Sequence, residues 1–220
     1  DRSVSRGLGD VYKRQEYERL FEVFSAHDIG YFFYNGGGDS QDTTFKVSEM
    51  AKKLKFPLQC IGIPKTVDND LPFTDCSPGF GSVAKYVATS TLEAGLDVKS
   101  MAETSTKVFI LEVMGRNAGW IAAASCLAGN EFEDPPHIIL LPEIPFEKAK
   151  FLKTVKEKTQ RFGYCVVVAS EGVKYKTGKF LADSGSVDAF GHKQLGGVAP
   201  VLASMAVSYT HLRAHETRFY

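Results

Sequence analysis

Short apolar runs alternate with stretches of helical spacing along this chain, and that alternation restricts its fold more than any other feature. The runs are Tyr31–Asn35, Leu58–Ile63, Lys107–Val113, His137–Leu141 and Tyr164–Ser170. Between and before them, Glu16–Ala26, Asp42–Leu54, Gly81–Ser100, Gly119–Leu127 and Glu147–Arg161 read as helices. Strands separated by helices of this length form βαβ units and a parallel sheet. Because the strands are almost wholly apolar, helices are expected on both sheet faces. The expected class is therefore α/β, with Rossmann-like parallel sheets. In the helix at 42–54, Phe45, Met50 and Leu54 can share one face. With 220 residues the chain can form one large domain or parts of two.

Charge excludes several partner classes. Lys+Arg and Asp+Glu both number 26, so no net charge draws the chain to nucleic acid or an anionic membrane. No apolar run approaches the roughly 20 residues of a membrane helix, and the charged, Ser/Gly-rich start lacks a signal-peptide core. Cys60, Cys76, Cys126 and Cys165 form no C-x-x-C pair and read as buried, reduced thiols of a cytoplasmic protein. Trp120 and the Phe residues are expected in the core. Residues 1–14 and 207–220 show no periodicity; they read as non-native tails and are set aside from the fold.

The polar residues concentrate where strands end. Pro64-Lys65-Thr66-Val67-Asp68-Asn69-Asp70 packs two carboxylates, a hydroxyl, an amide and a lysine into one turn after a strand. Open α/β proteins bind ligands at that carboxyl edge. Two such aspartates can divide roles, one taking a proton and the other holding a metal or orienting its neighbour. Lys65 can balance an anionic substrate, and the set points to phosphoryl-transfer chemistry. Asp and Asn also form turns readily, but a turn does not require Lys65, Thr66, Asp68 and Asp70 together.

Asn35-Gly36-Gly37-Gly38-Asp39-Ser40 joins a strand to a helix, where glycines admit a phosphate to helix amides. It also fits a plain turn with Asp39 or Ser40 as N-cap. At Met114-Gly115-Arg116, the guanidinium can fork onto a phosphate, or Glu112 can pair with it. Glu171, after another strand, can accept hydrogen bonds from sugar hydroxyls, and His192 and Lys193 can meet a phosphate beside a glycine-rich helix start.

In order and spacing, seven segments from about residue 15 to 206 resemble the 6-phosphofructokinase family. They are Gly-Gly-Gly-Asp-Ser at 36–40, Pro-Lys-Thr-Val-Asp-Asn-Asp at 64–70, Pro-Gly-Phe-Gly at 78–81, Met-Gly-Arg at 114–116, Pro-Glu-Ile-Pro-Phe at 142–146, Ser-Glu-Gly at 170–172 and Gly-His-Lys-Gln-Leu-Gly-Gly at 191–197. The resemblance implies the family's two-domain fold, truncated at both ends as an internal fragment. Residues 15–115 would belong to the phosphoryl-donor domain and 116–206 to an incomplete sugar-phosphate domain. It implies phosphoryl transfer to the 1-hydroxyl of fructose 6-phosphate, with Mg²⁺, in a homo-oligomer (dimer or tetramer). Asp68 would be the catalytic base, Thr66 a substrate-contacting hydroxyl and Asp70 a second carboxylate, the two aspartates being the metal candidates. Met114, Gly115, Arg116, Glu171 and His192 would contact the sugar phosphate. Lys107 would reach a neighbouring subunit's substrate. Gly36, Gly37, Gly38, Asp39, Ser40 and Lys65 would face the donor. ATP-using members usually carry glycine at positions 39 and 65, so Asp39 and Lys65 imply pyrophosphate rather than ATP. Gly38 departs from the ATP-type pattern, which often has an aspartate for Mg²⁺ there, and Leu195 stands where many ATP-dependent members have arginine.

Overall fold

The structure, a computed structural model, describes residues 16–131, 133–187, 193–210 and 214–218. Its described residues divide into two compact units: 16–66 with 71–77, and 67–70 with the residues from 78 onward. The chain passes between them at 66/67, 70/71 and 77/78. These units follow packing and differ from the functional division expected at 115/116. Strands on either side of that position share one sheet.

In the first unit, helix α1 (residues 16–26) precedes strand β1 (Tyr31–Gly36), helix α2 (Gly38–Leu54) and strand β2 (Gln59–Pro64). β1 and β2 run parallel, with Phe33 opposite Ile61 and Gly36 opposite Pro64. Phe21 and Phe24 of α1 and Val47 and Ala51 of α2 bury one face of this pair, against Phe32 and Cys60. The other face carries Tyr31, Phe33, Ile61 and Ile63, all exposed. The expected α2 face holds only at Met50, which packs against this core: Phe45 and Leu54 are exposed, and Thr44, Val47 and Ala51 point inward. Spacings of three and four fit more than one stripe, and the small residues are those that let α2 approach the strands.

The second unit contains α3 (Phe80–Met101), β3 (Val108–Val113), α4 (Trp120–Ala124) continued by a 3₁₀ turn (Ser125–Ala128), β4 (Ile138–Leu140), α5 (Lys148–Phe162) and β5 (Cys165–Ser170). A short antiparallel pair follows, β6 (Asp183–Val187) with β7 (Lys193–Leu195), then α6 (Val198–Thr210) and β8 (Ala214–Arg218). The main sheet is parallel, in the order β4-β5-β3-β8. The end of α6, to Thr210, and β8 fall within the stretch 207–220 set aside from the fold.

β3 and β5 are buried at every position, as their apolar sequences anticipate. Alternation along them separates two cores. Val108, Ile110, Cys165, Val167 and Ala169 pack with α5 (Phe151, Leu152, Val155) and α6 (Val198, Leu202). Phe109, Leu111, Val113, Val166 and Val168 pack with α3 (Val87, Val98) and α4 (Ile121, Ala122). Helices therefore cover both faces of this sheet.

Three expectations about single residues fail. Trp120 is exposed and meets Phe80 edge to face, because α4 turns Ile121 and Ala122 inward instead. All four cysteines are free, but only Cys165 is buried; Cys76 and Cys126 are exposed. Glu112, the alternative partner for Arg116, is 1% exposed, and its carboxylate accepts the Ala199 backbone N–H at 2.9 Å and caps α6. That interaction satisfies an otherwise orphaned helix amide.

Candidate active site

In the first unit, the glycine turn and the Lys65–Thr66 segment leave the carboxyl ends of adjacent parallel strands. The register that sets Gly36 opposite Pro64 continues with the Lys65 N–H donating to the Gly36 carbonyl at 2.9 Å. A Cβ added at Gly37 would lie 3.7 Å from Thr66 Cβ, so the two segments adjoin. Gly37 is the N-cap of α2, so neither Asp39 nor Ser40 occupies that position. Gly36 has a local packing reason: a Cβ there would fall 2.2 Å from Ser40 Oγ. At Gly38 an added Cβ meets nothing within 4 Å, which leaves room above the first turn of α2. Lys65 is exposed and Thr66 half-buried.

In the second unit, Val67 tucks into the core beside α3, its Cγ1 2.9 Å from where a Gly79 Cβ would stand. This anchors the turn that carries Asp68, Asn69 and Asp70. Asn69 is 7% exposed and adopts a left-handed φ of 54°, which Asn tolerates better than most residues. Asp68 is half-buried. Burial pushes its carboxyl above the usual carboxylate range; the charges of Asp70 and Glu171 add to that rise and the Arg116 guanidinium opposes it. One carboxyl thus feels both flanking acids and the arginine, which suits a group that must take a proton near neutral pH.

Arg116 and Glu171 come together because β3 and β5 are adjacent and in register, with Val113 opposite Ser170. The Glu171 N–H donates to the Val113 carbonyl at 2.9 Å, extending the ladder by one residue. Gly115 then turns the chain with a φ of 134°, and a Cβ there would stand 2.5 Å from the Ala118 carbonyl oxygen. A Cβ at Gly172 would stand 2.1 Å from the Arg116 carbonyl oxygen. Both glycines are required by this close approach of two backbones. Met114 is partly exposed, and among the described residues none accepts a hydrogen bond from the buried Arg116 Nε.

Two expected residues lie elsewhere. Lys107 precedes the amino end of β3, where its ammonium donates to the Ala102 carbonyl at the end of α3. The strand between it and Gly115 spans on the order of 20 Å. His192 lies outside the described residues, as does the side chain of Lys193. Ser170 and Glu143 fall inside segments that carry the resemblance, but sequence reasoning gave neither a role. The Glu143 carboxylate accepts the Gly119 N–H at 2.8 Å at the start of α4. Ser170, fully buried, donates its hydroxyl to the Gly115 carbonyl. Beyond its place in Ser-Glu-Gly at 170–172, a hydroxyl closing an otherwise apolar strand is the sequence signal for Ser170.

The fold and this edge define an open parallel α/β protein with a carboxylate–guanidinium cluster at the carboxyl ends of its strands. Residues 4–217 match the family described as Phosphofructokinase, and the chain belongs to that family. A "Pyrophosphate--fructose 6-phosphate 1-phosphotransferase" of Halomonas elongata is 66% identical over 192 residues, covering 87% of this chain and 46% of the relative. The crystal structure of the pyrophosphate-dependent phosphofructokinase from Marinobacter aquaeolei superposes with a TM-score of 0.77 at 62% identity, over 92% of this chain and 47% of that one. That from Nitrosospira multiformis gives a TM-score of 0.80 at 59% identity, over 93% and 48%. The chain thus spans about half the length of the relatives it matches.

Proposed function

We propose that the whole protein transfers a phosphoryl group from pyrophosphate to the 1-hydroxyl of fructose 6-phosphate, reversibly, in glycolysis and gluconeogenesis. The observation that carries this is the raised Asp68 carboxyl flanked by Asp70, Glu171 and Arg116. Asp68 takes the hydroxyl proton as the sugar oxygen bonds to phosphorus. The bridging P–O bond of pyrophosphate breaks, and phosphate leaves. Arg116 and Glu171 hold the sugar phosphate, with Met114 and Gly115 shaping that edge; His192 takes the 6-phosphate and Thr66 contacts the substrate.

Donor choice rests on residues of the glycine turn and Lys65. A carboxylate at Asp39 repels the α-phosphate of ATP, while the Lys65 ammonium offsets charge on the transferring group. The names of the compared relatives favour the same donor over ATP. Residues 15–115 serve the donor and 116–206 the sugar phosphate in this assignment. The protein acts in the cytoplasm as a homo-oligomer; for Lys107, only the resemblance supports a role at a neighbour's substrate. No helix among the described residues is long and apolar enough to cross a membrane.

Mg²⁺ is the implied ion. Among the described residues, no three His, Cys, Asp or Glu side chains gather closely enough to hold a metal. The donor set on offer is therefore a carboxylate pair, Asp68 and Asp70. That fits Mg²⁺, which keeps several waters and takes its other ligands from substrate phosphates. When bound, it neutralises charge on the transferring phosphoryl group.

Asp68→Asn tests the assignment in single-turnover experiments with the whole protein. Transfer should fall by about 10²- to 10⁴-fold, with fructose 6-phosphate binding intact. Undiminished transfer would remove Asp68 as the base and favour a noncatalytic, ligand-binding role for the fold.

A further inference from the structure

We propose that Ser170 is a positioning residue, whose buried hydroxyl ties the end of β3 to the end of β5 and thereby sets Arg116 against its anionic ligand. The inference rests on the acceptor role given above to Arg116. Ser170 is the last residue of β5 and is completely buried. Its Oγ donates to the carbonyl of Gly115, 55 residues away in sequence, and accepts a long contact from the Gly172 N–H at 3.5 Å. The hydroxyl therefore lies between the two segments that carry Arg116 and Glu171.

The strand ladder cannot do this work alone. Its last rung is the Glu171 N–H on the Val113 carbonyl. Beyond it, Gly115 leaves extended geometry and Arg116 begins a turn. Ser170 supplies the next tie, to the carbonyl immediately before Arg116. The fit is close: a Cβ on Gly115 would stand 2.9 Å from Ser170 Oγ, and one on Gly172 would stand 2.7 Å from the Gly115 carbonyl oxygen. Three small residues thus bring the backbones together, and only Ser170 brings a donor. Without it, the buried Gly115 carbonyl loses its side-chain partner, at a cost that local rearrangement relieves by moving Arg116.

The test uses the whole protein and its Ser170→Ala and Ser170→Thr variants. Two readouts are followed: calorimetric affinity for fructose 6-phosphate and for pyrophosphate, and the Arg116 Nε–H resonance, assigned through Arg116→Lys. Ser170→Ala should weaken fructose 6-phosphate about tenfold, the equivalent of one lost hydrogen bond. Pyrophosphate affinity should hold, solvent exchange at the Arg116 Nε–H should quicken, and threonine should restore both changed readouts. Where alanine does not fold, Ser170→Cys fills the same space with a weaker donor and should show the same selective loss. Equal weakening of both ligands, or an Arg116 signal unchanged while the thermal midpoint falls, would reduce Ser170 to a packing role and overturn the proposal. Failure of the unmodified whole protein to bind fructose 6-phosphate would instead remove the acceptor assignment, and the Arg116 signal would still decide the question for Ser170.

Discussion

Replacing Gly172 by alanine would set a methyl group 2.1 Å from the Arg116 carbonyl oxygen, against backbone that has no side chain to swing away. The expected result is a loss of about 1–3 kcal/mol in stability, together with weaker fructose 6-phosphate binding; urea denaturation and calorimetry measure the two. An unchanged denaturation midpoint would mean that the β3 and β5 ends are not pressed together. At this scale, density of chemistry decided what the sequence could reveal. Lys65, Thr66, Asp68 and Asp70 exceed what a turn needs and stand out unaided. Arg116 and Glu171 are ordinary one at a time; their effect on Asp68 arises only because β3 and β5 adjoin. Glu112 looked like a partner for Arg116, but its carboxylate accepts the Ala199 N–H at the start of α6 instead.

The β4–β5 edge depends on a histidine. The His137 N–H donates to the Val166 carbonyl, and the Val166 N–H returns a bond to His137 Nδ1, each at 2.9 Å. An imidazole that accepts at Nδ1 must be neutral. Burial chiefly, and then the charge of Lys158, lowers its pKa to about 4, while Glu133 and Asp134 pull the other way. A folded-state pKa below the unfolded value near 6.5 gives stability that is present above about pH 6.5. It is lost as pH falls through that value toward 4. His137→Asn keeps an acceptor near the Nδ1 position and does not titrate. Thermal midpoints across pH 7 to 4 should therefore fall less steeply in the variant than in the unmodified chain, and parallel curves would contradict this. The five strands read from apolar runs are present within about a residue at each end. The strands β6, β7 and β8 were not legible, because their short, polar sequences carry no alternating apolar signal and their pairing is tertiary.

For the molecule as a whole, the two parallel sheets present themselves to solvent differently. The second unit buries β3 and β5 on both faces, whereas β1–β2 leaves Tyr31, Phe33, Ile61 and Ile63 exposed together. Exposed apolar clusters of this kind drive association. The 220-residue chain should sediment as a concentration-dependent mixture, and Phe33→Lys with Ile61→Lys should shift it toward monomer; a monodisperse monomer before mutation would count against this. The parallel α/β class was legible because alternation of runs and helices is a property of the entire chain. The packing division at Thr66–Val67 was not, since it depends on which helices reach which sheet. The central claim is that Asp68 takes the proton of a sugar hydroxyl while pyrophosphate donates the phosphoryl group. The most direct measurement is turnover of fructose 6-phosphate by the whole protein with Mg²⁺, comparing pyrophosphate, ATP and the Asp68→Asn variant. Turnover with pyrophosphate alone, lost in Asp68→Asn, is the predicted result; turnover with ATP alone, or turnover that survives Asp68→Asn, would contradict it.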